Sequence, residues 1–306
     1  MTANPAPTWH ILGSGSMACL WSAYLLASGH TVRMIRREPP PRAEYHELVL
    51  ETAAAVREFQ LTLEARDAGD PLTRLLVCTK AHEVSGALRP LAPRIATDAC
   101  VVLLQNGIGF QDEAARIAPR AQLYCALTTE GAYLKAPFRV RHAGIGHTLV
   151  GGYPAGDLTR TGQLATELRA TGLEIRVTTA IDSALWRKLA VNCAINPLSA
   201  AHGCSNGALL DEAARHAEFL ALCREISAIL QGLGRNELAL EVEADATAVA
   251  RATAHNRSSM LQDLDAGKRT EIEYITGFLC RQAHLAGIAS PRNDALYARI
   301  RALEPA

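Results

Sequence analysis

The sequence predicts two consecutive domains, an α/β domain over residues 1–179 and an all-α domain over residues 180–306. In the first half, short apolar runs alternate with segments of helical periodicity, which is typical of a parallel sheet covered by helices on both faces. After about Thr179 the pattern is helical almost to the end of the chain, in alanine-rich segments that are broken mainly at glycines. With 306 residues, of which 49% are hydrophobic, the chain can bury a core in more than one domain.

The elements of the α/β domain are predicted from apolar runs that end at polar or glycine-containing sequence. The first strand is WHILG, and the helix after it, MACLWSAYLLASG, ends at Gly29. Further strands are predicted in TVRMIRR, LTRLLVCTK, ACVVLLQNG and AQLYCALTTE. FRVRHAGIGHTLVGG predicts two short strands around a glycine-containing turn, and a helix in LTRTGQLATELRATG precedes a last strand, LEIRVTT. In the all-α domain the predicted helices span residues 180–202, 207–231, 237–266 and 268–286.

Composition and charge narrow the classes of partner. The 31 basic and 31 acidic residues balance, so the net charge gives no argument for a nucleic-acid or membrane partner. The start of the chain, MTANPAPTWH, lacks the pattern of a secretory signal, and no apolar run approaches the ~20 residues of a membrane span. The eight cysteines are scattered and the ten histidines form no metal-binding motif. We therefore expect a cytoplasmic protein with reduced, buried cysteines and no metal site.

The segment GSGSMA, residues 13–18, follows the first strand, opens the first helix and fits the pattern G-x-G-x-x-G/A. Gly13 permits a tight turn, Gly15 lets the backbone approach a pyrophosphate, and the small Ala18 lets the helix pack on the strand. The helix N-terminus then offers N–H groups and the positive end of its dipole to phosphates. We predict a Rossmann-type dinucleotide-binding domain, the alternative being a structural strand–helix turn. The residues expected to bind the cofactor here are Gly13, Ser14, Gly15, Ser16, Met17 and Ala18.

The end of the second strand bears on the choice of dinucleotide. An NAD site usually places Asp or Glu there to bond the ribose 2′-hydroxyl, whereas this strand ends in Arg36 and Arg37. Guanidinium groups suit a 2′-phosphate, so we predict NADPH/NADP+ as the cofactor. Two alternatives stay open: the arginines are a solvated strand end, or Glu38 takes the NAD role.

Two polar residues follow later strands. Lys80 lies at the end of the predicted third strand, in CTKAHEV, and Asn106 lies at the end of the fourth, in LLQNGIG. In open α/β sheets ligands bind outside the carboxyl ends of the strands, so both are candidates for contact with cofactor or substrate. The alternatives are a surface lysine and an asparagine in an Asn-Gly turn.

The apolar stretch WRKLAVNCAINPLSAAHG, residues 186–203, carries Lys188, Asn192 and Asn196 at every fourth position, so in a helix they form one stripe. Such a stripe is usually a solvated face. Asparagine is, however, a poor residue for a helix interior, and two at this spacing invite a reason. The competing interpretation is a cleft in which the amides position a polar ligand and the lysine delivers a proton.

A second polar cluster lies in NRSSMLQDLDAGKRTEIEYITGF, residues 256–278. Asn256 and Ser259 are three residues apart and are predicted to share a helical face. Glu271 follows one helical stretch later; beside Lys268 and Arg269 such a carboxylate usually belongs to a charged surface.

Together these segments resemble the ketopantoate reductase family. The resemblance covers nearly the whole chain, from GSGSMA through CTKAHEV, LLQNGIG and KLAVNCAINPLSA to SSMLQDLDAGKRTEIEYITGF, and the last two segments are the specific ones. It implies an NADPH-dependent oxidoreductase that converts 2-dehydropantoate to pantoate for pantothenate and coenzyme A synthesis. It also implies a Rossmann domain followed by a helical domain, with the active site in the cleft between them.

The resemblance carries over residue by residue. Lys188 matches the catalytic lysine and is expected to act as the general acid. Asn106 and Glu271 match catalytic positions that also contact the cofactor, and Glu271 is expected to accept a hydrogen bond from the substrate hydroxyl. The residues expected to position the substrate are Asn192, Asn196, Asn206, Asn256 and Ser259, among which Asn206 has the least defined role. The residues expected to contact the cofactor further along are Lys80 and, for the 2′-phosphate, Arg37 or Arg36. Thr276 departs from the asparagine expected in many members.

Two other functions remain open at this point. One is a reductase of the same fold that acts on another 2-oxo acid, or an opine-type dehydrogenase. The other is a non-catalytic protein that senses NADP and regulates a partner, although such a protein need not keep a proton donor. The expected partner is a small-molecule 2-oxo acid, and a homodimer is left open.

Overall fold

The computed structural model describes residues 7–36, 45–67 and 69–305. The chain divides into two compact units, which we call the α/β unit (Met1–Gln105 and Phe110–Asp182) and the helical unit (Asn106–Gly109 and Ser183–Ala306). An α/β part followed by a helical part confirms the predicted fold class. The grouping of the short segment Asn106–Gly109 with the helical unit was not predicted from the sequence.

Within the described residues, the α/β unit contains one sheet of eleven strands in the order β11-β10-β7-β6-β5-β1-β2-β4-β3-β9-β8. The strands are β1 (Trp9–Leu12), β2 (Val32–Arg36), β3 (Tyr45–Glu51), β4 (Val56–Ala65), β5 (Leu72–Val77), β6 (Ile95–Leu103), β7 (Gln122–Thr128), β8 (Gly131–Ala136), β9 (Arg139–Gly144), β10 (Thr148–Gly152) and β11 (Ile175–Val177). The helices are α1 (Ser16–Ala27), α2 (Val84–Leu88), α3 (Gln111–Ile117) and α4 (Leu158–Arg169), with short 3₁₀ helices at Ala81–Glu83 and Arg89–Arg94.

The strand order reverses at β1. This strand pairs in parallel with β2 on one side and with β5 on the other, so that Leu12 lies opposite both Ile35 and Val77. The carboxyl ends of β1, β2 and β5 therefore meet at one edge of the sheet. In open α/β sheets such a reversal is the point at which ligands bind.

The sheet is mixed and not parallel throughout, which corrects the sequence expectation. The pairs β3/β4, β8/β9 and β7/β10 are antiparallel. Residues 52–55 connect β3 to β4, and the Thr52 N–H donates to the Ala55 carbonyl at 2.8 Å. A connection this short joins antiparallel strands, because a parallel pair needs a crossover of a dozen residues or more.

The helical unit contains α5 (Ile181–His202), whose predicted bounds are confirmed within one residue. The helices after it are α6 (Ala208–Asp211), α7 (Ala213–Gly232), α8 (Asn236–Ala252), α9 (Ser259–Asp265), α10 (Thr276–Leu285) and α11 (Pro291–Leu303). Three predicted helices are interrupted, and the first break is at Glu212, between α6 and α7. The chain leaves the helix between α8 and α9, and the segment before α10 forms only a 3₁₀ turn at Ile272–Tyr274.

Across the described ranges, no helix is long and apolar enough to span a bilayer. All eight cysteines are free, and all except Cys78 and Cys204 are buried. Burial raises the pKa of Cys19 and Cys100 to about 12, so these thiols are small core side chains and not nucleophiles at neutral pH.

Candidate active site

The glycine loop begins directly after β1. Gly13 has φ +119°, a conformation that favours glycine, and a Cβ at this position would lie 3.1 Å from the Cys78 carbonyl carbon. The Cys78 N–H donates to the Leu12 carbonyl at 2.8 Å. The loop therefore packs tightly against the residues after β5, at the reversal of strand order.

The second glycine lies at the N-terminus of α1. A Cβ on Gly15 would meet no atom within 4 Å, so the space beside the backbone is open. The Cys19 N–H donates to the Gly15 carbonyl at 3.0 Å and starts the helix, while the other first-turn N–H groups receive no side-chain cap from Gly15. Ala18 is fully buried, as close packing of helix on strand requires. An open cradle at an uncapped helix N-terminus fits a pyrophosphate.

The other residues of the loop differ in exposure. Ser14 is exposed with Gly15, whereas Ser16 and Met17 are half-buried. The Cys19 thiol lies 3.8 Å from the Ser14 carbonyl oxygen and donates weakly to it.

Two further residues predicted to contact the cofactor lie at the same edge of the sheet. Arg36 is the last residue of β2, half-buried, with its guanidinium carbon 5.9 Å from the centroid of the Phe138 ring. Lys80 lies three residues after β5, and its backbone N–H bonds the Glu83 carboxylate at 3.4 Å. The predicted 2′-phosphate residue Arg37 lies outside the described residues, as does the alternative Glu38.

In the helical unit, the polar stripe of α5 is a partly exposed line on an otherwise buried segment. Lys188, Asn192 and Asn196 are half-buried, and the residues between Leu189 and Ala200 other than Val191 and these asparagines are buried. A fully solvated face would leave the stripe exposed. The intermediate exposure of all three residues instead shows that other parts of the chain cover the stripe in part.

Lys188 lies near enough to Glu271, a carboxylate from a distant part of the chain, for the two charges to interact. Burial lowers the pKa of Lys188 from 10.5 to about 8, and the negative charge of Glu271 opposes that shift. The Glu271 side chain is 5% exposed, and its Oε2 accepts a hydrogen bond from Asn106 Nδ2 at 3.2 Å. The structure therefore brings together an ammonium, a carboxylate and an amide that were all predicted as catalytic residues.

Asn106 is held in place by its neighbours in the segment Asn106–Gly109. The Ile108 N–H donates to the Tyr274 carbonyl at 2.9 Å. Gly107 has φ +91°, and a Cβ there would lie 2.3 Å from the Tyr274 carbonyl oxygen, so only glycine lets the two backbones approach. From the sequence, an Asn-Gly turn was the alternative to a ligand contact by Asn106; the structure shows that the glycine is also required for packing.

Glu271 is carried by a turn and not by the predicted helix over 268–286. It precedes the 3₁₀ helix Ile272–Tyr274, and its carbonyl accepts from the N–H groups of Tyr274 at 3.0 Å and Ile275 at 3.1 Å. Thr276, which departs from the asparagine expected in many members, is fully buried at the start of α10.

The predicted helical face shared by Asn256 and Ser259 is wrong. Asn256 lies in the connection between α8 and α9, and Ser259 is the first residue of α9. Both are exposed. Between them, the buried Ser258 caps α9 by accepting from the Leu261 N–H at 3.2 Å, and its hydroxyl accepts from Ser199 at 2.8 Å.

Asn206 contacts the same connection. It is 7% exposed, its Nδ2 donates to Thr253 Oγ1 at 2.9 Å, and its backbone N–H donates to the Asn256 carbonyl at 2.9 Å. These bonds hold the exposed Asn256 in place, a supporting contact that the sequence did not define. Ser258 was also not singled out, although a serine before an apolar helical run is a recognisable N-cap signal.

Within the described part of the chain, no group of three or more His, Cys, Asp or Glu side chains could hold a metal ion.

Matches to known families and proteins extend over almost the whole chain. The family model described as "Ketopantoate reductase PanE/ApbA" matches residues 9–155, and "Ketopantoate reductase PanE/ApbA C terminal" matches residues 180–304. A 2-dehydropantoate 2-reductase from Vibrio cholerae serotype O1 is 34% identical over 298 residues, which are 96% of this chain and 97% of that protein.

Solved structures agree with the two-part fold. A crystal structure of a PanE/ApbA family ketopantoate reductase from Ralstonia eutropha JMP134 matches with a TM-score of 0.83 and 27% identity, over 97% of this chain and 98% of that one. A ternary structure of D-mandelate dehydrogenase with NADH and anilino(oxo)acetate matches with a TM-score of 0.87 and 23% identity, again over 97% and 98% of the two chains. At that identity the second match establishes the fold alone.

Proposed function

The chain belongs to the ketopantoate reductase family, and we propose that it reduces 2-dehydropantoate to pantoate with NADPH as the reductant. The observation that carries the proposal is that, in the helical unit, Glu271 accepts a hydrogen bond from Asn106 and its charge acts on Lys188. A proton donor, a buried acceptor and a positioned amide are the groups that reduction of a hydroxylated 2-oxo acid needs.

The cofactor would be held by the glycine loop. The tight turn at Gly13, the open space beside Gly15 and the N-terminus of α1 suit its pyrophosphate. Arg36 and Arg37 suit the 2′-phosphate of NADPH, and Lys80 follows β5 at the same edge of the sheet. When bound, NADPH supplies the hydride for the reduction.

Lys188 acts as the general acid. The ketone oxygen gains negative charge as its carbon is reduced, and it must receive a proton. A general acid works best when its pKa is near the operating pH, and burial brings the pKa of Lys188 to about 8. The ammonium also stabilises the developing charge before the proton is transferred.

Glu271 reads the terminal hydroxyl of the substrate. Its carboxylate is buried, so a substrate without this hydroxyl leaves one hydrogen bond of the acceptor unmade. Such an analogue is therefore bound and reduced less well than the hydroxylated substrate. Asn106 orients Glu271 through the 3.2 Å hydrogen bond. The exposed Ser259 and Asn256 bind the substrate carboxylate, and Asn206 supports Asn256 through its backbone hydrogen bond. The amides of the α5 stripe, Asn192 and Asn196, orient substrate oxygens.

The function is tested by NADPH oxidation, followed by the absorbance of the reduced nicotinamide, with 2-dehydropantoate, pyruvate and 2-oxoisovalerate in parallel. We expect turnover on 2-dehydropantoate, a large loss in Lys188→Ala and no loss in the control Lys268→Ala, whose lysine is exposed. Turnover on another 2-oxo acid alone would indicate a different reductase of this fold. Tight NADPH binding without turnover on any of them would favour a sensor.

The choice of NADPH has its own test. Specificity constants for NADPH and NADH are compared in the wild type, Arg36→Ala and Arg37→Ala. If an arginine binds the 2′-phosphate, its removal weakens NADPH and leaves NADH unchanged. Equal use of both cofactors by the wild type would contradict the assignment.

A further inference from the structure

A second carboxylate, Glu304, is buried beside the turn that carries Glu271. Its side chain is 3% exposed, although it follows the last turn of α11. Oε1 of Glu304 accepts hydrogen bonds from the Thr270 N–H at 2.7 Å and from Thr270 Oγ1 at 2.6 Å. Oε2 lies 2.5 Å from Arg301 Nη1. A carboxylate withdrawn from water needs such partners, so this one is committed to its contacts.

The contacts of Glu304 extend to both sides of Glu271. Thr270 is 1% exposed, and its hydroxyl oxygen accepts from the Ile272 N–H at 3.1 Å while the hydroxyl hydrogen goes to Glu304. The residue before Glu271 and the residue after it are thus tied to one buried carboxylate. The Glu271 carbonyl is bonded in turn by the Tyr274 N–H at 3.0 Å.

The turn needs an external anchor because it is not part of an α-helix. α9 ends at Asp265 and α10 begins at Thr276, so a single 3₁₀ turn lies between them. A 3₁₀ turn has few and poorly aligned hydrogen bonds of its own. The other carboxylate of the turn, Glu273, bonds Arg281 and the Tyr297 hydroxyl, and it stabilises the start of α10 instead.

We propose that Glu304 is a positioning residue that fixes the Thr270–Ile272 backbone and thereby holds the Glu271 carboxylate between Asn106 and Lys188. The catalytic consequence rests on the proposed function, since it requires Glu271 to bind the substrate hydroxyl. A misplacement of about 1 Å in a group that orients the substrate can cost on the order of 10²-fold in rate.

The test compares Glu304→Ala with Glu225→Ala. Glu225 is a matched control in the same unit, because its carboxylate also accepts from backbone N–H groups, those of Arg292 at 3.0 Å and Asn293 at 2.8 Å. Glu304→Gln keeps an acceptor oxygen for Thr270 without the charge. It gives an intermediate effect and replaces the alanine variant if that variant does not fold.

The first readout needs no turnover. Lys188 is modified with trinitrobenzenesulfonate over a range of pH, and its modification is followed by peptide mass spectrometry. Because the Glu271 charge raises the pKa of Lys188, a displaced Glu271 lets that pKa fall. We expect Lys188 to titrate at lower pH in Glu304→Ala than in the wild type, and unchanged in Glu225→Ala.

The second readout is kinetic. We expect the KM for 2-dehydropantoate to rise about tenfold in Glu304→Ala, with the KM for NADPH unchanged. Lower thermal stability in both alanine variants, with the Lys188 titration and the substrate KM unchanged, would make Glu304 a structural residue only and overturn the proposal. If the wild type does not reduce 2-dehydropantoate, the proposed function fails, and the Lys188 titration alone still decides whether Glu304 positions Glu271.

Discussion

Replacing Gly107 by alanine tests whether Asn106 acts through Glu271. The glycine has φ +91°, and a Cβ would lie 2.3 Å from the Tyr274 carbonyl oxygen, whereas ordinary contact begins at 3.4 Å. Either the segment Asn106–Gly109 or the Tyr274 carbonyl must therefore move by about 1 Å, since neither atom belongs to a flexible side chain. We expect the substitution to displace Asn106 from Glu271.

The size of the effect follows from the geometry. The Asn106–Glu271 distance is 3.2 Å, and an increase of about 1 Å takes the pair beyond hydrogen-bond range. A hydrogen bond to a charged group contributes about 1.5–3 kcal/mol, so kcat/KM for 2-dehydropantoate should fall by roughly 10- to 100-fold. The unfavourable positive φ adds a stability cost of about 1–2 kcal/mol.

Gly234→Ala separates the two costs. Gly234 has φ +76° in the same unit, and a Cβ there would meet nothing within 4 Å, so alanine incurs the conformational cost without a clash. Steady-state kinetics and thermal unfolding are measured on both variants. Wild-type kcat/KM in Gly107→Ala, or an equal loss of activity in Gly234→Ala at equal stability, would refute the role of Asn106.

Three further predictions concern the proton donor, the cofactor loop and the α9 cap. Because Lys188 must be protonated to act, kcat should fall as the pH rises through about 8. About nine-tenths of the lysine is protonated at pH 7 and about a tenth at pH 9. A pH–rate profile in which kcat does not fall over this range would contradict the role of Lys188 as the acid. Gly15→Val places its side chain in open space, so the melting temperature should stay unchanged while NADPH binding weakens. Gly13→Ala should lower the melting temperature and also weaken NADPH binding. Calorimetry measures the melting temperatures and fluorescence titration measures NADPH binding. Ser258→Ala removes the cap of α9 and the bond from Ser199, so unfolding free energy should fall by about 1–2 kcal/mol and the substrate KM should rise; unchanged chemical denaturation would refute this.

Much of the architecture could be predicted because local hydrophobic periodicity indicates most of the helices and the central strands. The strands at the centre of the sheet, such as β1 with all four residues buried, read as continuous apolar runs. The strands β3, β4 and β8 were not predicted, because their patterns are weaker. The first five residues of β4, Val56–Gln60, are exposed except for Phe59, and the last four residues of β8 are exposed. Pairing with neighbours, and not residue type, makes such a segment a strand.

In the candidate site, too, local features could be predicted from the sequence, whereas contacts between distant residues could not. The α5 stripe was predicted because a helical repeat puts Lys188, Asn192 and Asn196 on one line. The contact between Asn106 and Glu271 joins residues 165 positions apart, and no local pattern carries information on such a contact. Both residues were predicted as catalytic from the family resemblance, but the hydrogen bond between them was not predicted.

Two of the breaks in the predicted helices, before Ser258 and at Glu271, share one physical cause. Periodicity continues through the residues before Ser258 and through Glu271, yet the backbone at both places is drawn out of the helix by bonds from elsewhere: Asn206 binds the Asn256 carbonyl, and Glu304 binds Thr270. An α-helix satisfies its own backbone groups and presents side chains at fixed intervals. Its geometry therefore restricts where a single carboxylate can point relative to both Asn106 and Lys188. A turn can do so, provided that distant side chains satisfy its N–H and carbonyl groups. At these two breaks lie Asn256 and Glu271, which the proposed chemistry requires in non-helical positions. Their anchors are Asn206 and Glu304, so substitutions at these two residues should alter catalysis without removing a contact to the substrate.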